Sequence, residues 1–189
     1  MVKQGYQQSK VDPCLYYHQN VLQAIYIDDC ILLAKEEKDL WKAIKLLAIE
    51  FKMTDEVEVD KHLGVKIEKR EDSKIKMYQP YLITQIMENL GTNNKTKVKN
   101  TRAVTSKILH RDISGKEMRT QWEYARIIGQ QKKLGNSTRP DIAFAVQQCT
   151  RFMSNPSELH KQAMLRIGRY LKATREEAIF FKPEKEQNM

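Results

Sequence analysis

The stretch "VLQAIYIDDCILLA", residues 21 to 34, does most to limit what this chain can fold into. Two short apolar runs rich in β-branched and aromatic residues flank Asp28 and Asp29, which reads as two strands joined by a tight turn. "CLYYH" just upstream has the same strand character. Two adjacent carboxylates beside buried strands repel each other and lose solvation, a cost that a bound cation removes. Hard oxygen ligands suit Mg²⁺ or Mn²⁺, which proteins hold through one or two carboxylates together with substrate phosphates. Two such ions about 3.5–4 Å apart can activate a hydroxyl and stabilise a leaving oxygen. Taken alone, Tyr26 to Asp29 also fits an ordinary exposed turn that binds nothing.

Beyond the hairpin the hydrophobic period changes. Leu40, Ile44, Leu47 and Phe51 form one stripe, with acids at its start, and predict a helix from Glu36 to Phe51. "HLGVKIEK" and "SKIKMYQ" predict a second hairpin turning near Glu71–Ser73. Pro80 and Gly91 bracket a helix ending near Leu90. Three more helices are expected at about Gln121–Leu134, Pro140–Met153 and Pro156–Lys172. In the last, Leu159, Ala163, Met164, Ile167, Tyr170 and Leu171 share an apolar face, and Lys161, Arg166, Arg169, Lys172 and Arg175 share a positive one.

Charge points to a partner class. The 189 residues carry a formal net charge of +9, and phosphate is the commonest polyanion that a basic protein meets. Eight of the cations lie between Thr92 and Arg119, against only Asp112 and Glu117, so that stretch reads as a basic connector. The longest apolar runs fall far short of the roughly 20 residues a membrane-spanning helix needs, and the first 20 residues lack the apolar core of a signal peptide. Cys14, Cys30 and Cys149 are widely spaced and predict free thiols in a reducing compartment. An intracellular chain, cytoplasmic or nuclear and with no membrane partner, is the expectation. His18, His62, His110 and His160 have no metal-ligand spacing.

The chain resembles the Pol polyprotein of copia-type retrotransposons where reverse transcriptase runs on towards RNase H. The resemblance rests, in order, on "QSKVDPCLYY", "YIDD", "FKMTDEVEVDKHLGVKI", "YQPYLITQIMENLG", "TRPDIAFAV" and "RFMSNPSELHKQAMLRIGRYLKAT", which together span nearly all of residues 4 to 181. It implies that "YIDD" is the palm motif of an RNA-directed DNA polymerase. Asp28 would then bind the catalytic Mg²⁺ or Mn²⁺, with Asp29 supporting it and Tyr26 near the nascent end. "HLGVKI" is similar to the primer-grip hairpin, which would set Leu63, Gly64 and Lys66 against the primer backbone. Partners implied are an RNA/DNA primer–template, dNTPs and the remainder of the Pol polyprotein.

The fold expected from this resemblance is α+β, a partial reverse-transcriptase palm of antiparallel hairpins plus a helix, followed by a helical thumb and connection. Its segments are a palm part at 1–79, a thumb-like helix at 80–91, a basic linker at 92–119 and a helical connection at 120–189. In the family a palm strand bearing another metal-binding aspartate lies upstream, and RNase H follows "IFFKP". On that comparison the chain is expected to be a truncated fragment, inactive alone. Asp12, in the "DPC" turn, and Asp141, in a downstream helix, do not replace the upstream aspartate.

Several residues depart from the family pattern: Glu56, Val57, Lys132, Lys133, Lys161 and Gly168. Lys132, Lys133 and Gly168 are expected to weaken the helical part, the glycine by about 1 kcal/mol in helix propensity. A hairpin deprived of its neighbour strand is expected to be marginal. A non-catalytic nucleic-acid-binding module and a non-functional pseudogene product are the alternative readings.

Overall fold

A computed structural model of the protein describes residues 4–52, 60–92, 95–103, 108–111 and 121–182. Among the described residues the architecture is α+β, with two antiparallel four-stranded sheets and five α-helices. The chain divides into two compact units, Met1–Val59 and Asp60–Met189.

The first unit holds β1 (Gln7–Gln8), β2 (Leu15–His18), β3 (Val21–Tyr26), β4 (Asp29–Ala34) and α1 (Glu37–Glu50). Its sheet order is β1-β2-β3-β4. The expected hairpin is present, with Tyr26 opposite Asp29 and Val21 opposite Ala34. It does not stand alone: β3 also pairs with β2, from Leu15 opposite Ala24 to His18 opposite Val21. The predicted lack of support is therefore corrected, although β4 remains an edge strand. Asp12 caps the turn before β2 by accepting the Cys14 amide at 2.8 Å. Alternation puts Val21 and Gln23 on one face of β3, and that face is buried together with Ala43 and Leu47 of α1. Asn20 ties the β2–β3 turn to the helix through Asp39 at 3.0 Å.

The second unit opens with β5 (Lys61–His62), β6 (Val65–Lys69) and β7 (Ile75–Tyr78). β8 (Ile179–Phe181) pairs with β7 to give the order β5-β6-β7-β8. The hairpin read from "HLGVKIEK" thus shares a unit with the helices. α2 (Pro80–Asn89) begins with Pro80 in its first turn, and Gly91, at φ +62°, follows its C-cap Leu90. α3 (Gln121–Gly135), a 3₁₀ turn at Pro140–Ile142 leading into α4 (Ala143–Thr150), and α5 (Glu158–Ala173) match the three expected helices. α2 joins them in one core built on Ile83, Ile86, Tyr124, Ile128, Ile142 and Ile167.

Several packing expectations change. Lys132 and Lys133 are exposed in the last turn of α3, where cations favour the helix dipole rather than weaken the helix. Gly168 does not leave a hole: a Cβ there would meet Leu90 Cδ1 at 2.2 Å, so α2 delivers a leucine into the space the glycine frees. Leu159 is 39% exposed, and His160, at 1%, takes its place on the buried side of α5. Lys161 sits in an i,i+3 pair with Glu158 at 3.6 Å. The segment Lys95–Ala103, predicted as part of a free connector, lies along α5. Lys172 Nζ donates to the Thr96 carbonyl at 3.0 Å and the Lys99 amide to the Arg169 carbonyl at 3.3 Å. Glu56, Val57 and the connector cations Lys107, Lys116 and Arg119 lie outside the described residues.

Candidate active site

The apex of the β3–β4 hairpin is a two-residue turn, Ile27–Asp28, closed by the Tyr26–Asp29 pair. Ile27 has φ +54°. For a β-branched residue the left-handed region is a true outlier, and strain of that kind gathers at functional turns. Ile27 is also 80% exposed, so an apolar side chain in solvent and a strained backbone coincide at one residue. Asp28 and Asp29 are both exposed on this turn. Tyr26, 52% exposed, lies directly across from Asp29. By strand alternation these two share the sheet face opposite α1, together with Leu22, Ala24, Ile31 and Leu33.

The α1 side behind the apex is buried and polar. Gln23 is fully buried, and neither atom of its amide has a nitrogen or oxygen partner among the described residues. The Tyr6 hydroxyl is in the same condition. Burial pushes the neighbouring Cys30 thiol above its ordinary pKa, against a hydrogen bond with the Gln23 side chain that lowers it, and the charge of Asp29 adds to the rise. Burial likewise raises the Tyr6 phenol. Cys14, Cys30 and Cys149 are free thiols, as the sequence predicts.

Whether this apex suits a divalent ion can be judged from its donors. Asp28 and Asp29 supply hard carboxylate oxygens on consecutive residues, open to solvent, which fits Mg²⁺ or Mn²⁺ in kind. They do not fill a coordination sphere. Among the described residues no group of three or more His, Cys, Asp or Glu side chains is placed to hold an ion. An ion at this apex would take its remaining ligands from water, substrate phosphates or other carboxylates.

The other predicted site residues lie in the second unit. Leu63 and Gly64 form the two-residue turn between β5 and β6, with φ +52° and +81°. Positive φ at both positions defines a type I′ turn, for which glycine is well suited and leucine is not. Lys66 points from β6 into a local cluster. Its Nζ meets Glu68 Oε1 at 2.8 Å, Tyr78 donates its hydroxyl to the same oxygen, and Lys76 Nζ lies 4.0 Å from the Tyr78 ring centroid. The Lys66 and Tyr78 hydrogen bonds lower the Glu68 carboxyl to about 2, and Glu68 in turn raises the Lys66 ammonium. Lys61 stands directly opposite Lys66 in the ladder, a like-charge pair on one sheet face.

Sequence reasoning missed one cluster. Arg139 is 2% exposed and forks onto Asp141, Nε to Oδ1 and Nη2 to Oδ2, both at 2.9 Å. It also donates to the Thr174 carbonyl at 2.8 Å, and Tyr170 donates to Asp141 Oδ2 at 2.8 Å. Burial pushes the Asp141 carboxyl up, but the hydrogen bonds from Arg139 and Tyr170 outweigh it and hold the carboxyl below its ordinary value. The network joins the start of α4 to the end of α5. The signal was "TRPD", whose charged pair brackets a proline at a helix start.

With this geometry in place, the chain is found to be similar, over most of its length, to retrovirus-related Pol polyproteins of copia-type transposons. The chain is 27% identical to the Pol polyprotein of transposon TNT 1-94 from Nicotiana tabacum over 96% of its own length and 14% of the relative's. It is 29% identical to that of transposon RE1 from Arabidopsis thaliana over 94% of the chain and 12% of the relative. The transposon Ty5-1 protein of Saccharomyces cerevisiae is 29% identical over 80% of the chain and 49% of the relative. The chain therefore spans half or less of the length of these relatives. No protein-family profile matches it, and neither does any solved structure.

Proposed function

We propose that this chain is part of a reverse transcriptase, with Tyr26–Asp29 as the palm hairpin that holds catalytic Mg²⁺ or Mn²⁺ during RNA-directed DNA synthesis. The observation that carries the reading is the strained two-residue turn presenting Asp28 and Asp29 side by side in solvent. Asp28 would be the principal carboxylate and Asp29 its neighbour in support. Asp28 and Asp29 would hold a divalent ion whose chemistry, when bound, would be to neutralise phosphate charge and favour deprotonation of an attacking hydroxyl. Tyr26, exposed across the ladder from Asp29, offers a ring against which a terminal sugar or base can rest. Leu63 and Gly64 present a tight turn whose backbone can approach a primer strand closely. Lys66 serves as a phosphate contact only by giving up its pair with Glu68. Similarity to transposon Pol polyproteins supports the same reading.

The test is a primer annealed to an RNA template and ended by a 4-thiothymidine, photo-crosslinked to the chain with Mg²⁺ or with EDTA. Adducts on the peptide containing Tyr26–Cys30, dependent on Mg²⁺ and lost in Asp28→Asn, are expected. Adducts elsewhere, or adducts indifferent to Mg²⁺, overturn the reading.

A further inference from the structure

The two edges of the first sheet are built differently. β1 ends it on one side with two exposed glutamines, Gln7–Gln8, a short polar edge of the kind that resists edge-to-edge pairing. β4 ends it on the other side with Asp29–Ala34, six residues that include no Lys and no Pro and that pair with β3 without a bulge. That strand therefore lacks the usual protections of an edge.

Register decides which backbone groups of β4 face outward. The Ile25 amide donates to the Cys14 carbonyl at 2.9 Å, so Ile25 turns its polar groups towards β2, and Cys30 opposite it turns its own away from β3. Alternation gives Leu32 and Ala34 the same outward orientation. Among the described residues no backbone hydrogen bond from outside the ladder reaches these three, and none of them is buried.

One antiparallel register lets a second β4 satisfy all of them, with Leu32 opposite itself and Cys30 opposite Ala34 of the other copy. That register is two-fold symmetric, so the edge is its own complement. On the open face of the sheet it sets Ile31 against Leu33, once on each side of the axis, in closely spaced pairs. The neighbouring registers leave Cys30 or Ala34 without a strand partner, and one of them sets Asp29 against Leu33.

α1, which packs on β3 and β4, widens this surface. Its Asp39 flank is tied to Asn20 of the β2–β3 turn at 3.0 Å, and Gln4 reaches the Leu46 carbonyl on the same flank at 3.5 Å. At 100° per residue Trp41, Ile44 and Ala48 lie on the opposite flank, above the β4 edge. Trp41 is 39% exposed, and its ring N–H donates to Glu37 at 3.2 Å. Paired strands stand about 4.8 Å apart, so helices seated over two joined β3–β4 pairs would run about 10 Å apart, the spacing of packed helices.

We propose that β4 and the adjoining flank of α1 form a dimerisation surface whose partner is a second copy of this chain, joined edge to edge into one continuous sheet. The short β1 edges end that sheet on both sides, so assembly closes at two copies. The contact is small, which makes the dimer reversible rather than permanent. This goes beyond the palm reading and uses neither Asp28 nor a metal.

The experiment is sedimentation velocity of the full chain over a concentration series, in EDTA with reductant, where a monomer should pass into a dimer and nothing larger. Leu33→Lys changes an exposed side chain and removes the Ile31–Leu33 pair on both sides of the axis, so it should weaken association by about tenfold. Tyr17→Lys places the same charge on the same sheet face but on β2, and should leave the dimer unaltered. Circular dichroism checks that both variants fold. Ala34→Cys gives a second reading that needs no lysine variant. Directly opposed residues lie about 5.5 Å apart at Cα, a separation that a disulfide spans. With oxidised glutathione, native Cys30 of one copy should therefore link to position 34 of the other, as found by peptide mapping. A monomer throughout the series overturns the proposal, as does an open-ended series of larger species. Equal loss in both lysine variants, or an Ala34→Cys dimer linked through any thiol other than Cys30, overturns it as well. Because EDTA is present throughout sedimentation, its outcome does not bear on the metal hairpin.

Discussion

Gln23 and Asp141 show how differently a buried polar residue can be treated in this chain. Gln23 lies under the sheet with no nitrogen or oxygen partner for its amide among the described residues, and only the weakly bonding Cys30 thiol beside it. An unmet buried amide costs about 1–3 kcal/mol, so Gln23→Met, which fills similar volume, should raise the urea midpoint by an amount worth about 1 kcal/mol or more. A lowered midpoint would mean that the amide is satisfied after all. Asp141 is the opposite case, fully engaged by Arg139 and Tyr170. Its folded pKa lies below the unfolded value of about 3.9. It therefore contributes stability that is fully present above that value and is lost as pH falls through the folded one. Asp141→Asn leaves buried Arg139 without its counter-charge and should destabilise by about 3 kcal/mol near pH 7. The gap from wild type should close below about pH 4. A gap independent of pH would place the loss in packing rather than charge.

At the scale of elements, Gly168 shows how a departure from a family pattern can be absorbed. Leu90, at the end of α2, occupies the space beside it on α5. Gly168→Leu should thus destabilise, despite better helix propensity, by about 1–3 kcal/mol through overpacking. Leu90→Ala should recover part of that loss in the double variant, and a purely additive pair would show that the two helices do not meet there. The elements themselves were largely legible in the sequence. Period 2 around Asp28, the stripe from Leu40 to Leu47, and the Pro80 and Gly91 punctuation are local signals. What stayed hidden depends on pairing across long separations. β8 adds to β7 from about a hundred residues away, and Arg139 reaches Thr174 across 35 positions. The basic stretch after Thr92 read as a connector because composition reports charge and cannot report that Thr96 and Lys99 dock on a helix. His160 escaped for a related reason. Its value lies in accepting the Ser157 amide at Nδ1 while Nε2 faces the His110 carbonyl, 50 residues away.

For the whole molecule, two units carry two separate chemistries. The first presents carboxylates at a strained hairpin apex, and the second presents cations along α5 and on the β5–β7 sheet. Of the candidate site, the hairpin and its two aspartates were readable from the sequence, whereas the β5–β6 turn at Leu63–Gly64 was not, because "HLGVKIEK" read as one strand of a hairpin turning near Glu71–Ser73. The engagement of Lys66 by Glu68 and Tyr78 was not either, because it depends on register across β6 and β7. Asp28 and Asp29 carry the central claim, and local metal chemistry tests it most directly. Fe²⁺ in place of Mg²⁺, with ascorbate and peroxide, generates hydroxyl radicals that cut the backbone where the ion sits. Mass spectrometry of the full chain should then find cuts concentrated between Tyr26 and Cys30, suppressed by excess Mg²⁺ and lost in the double variant Asp28→Asn/Asp29→Asn. Cuts scattered along the chain, or cuts at the hairpin that persist in the double variant, would contradict the assignment of this turn as a metal-binding site.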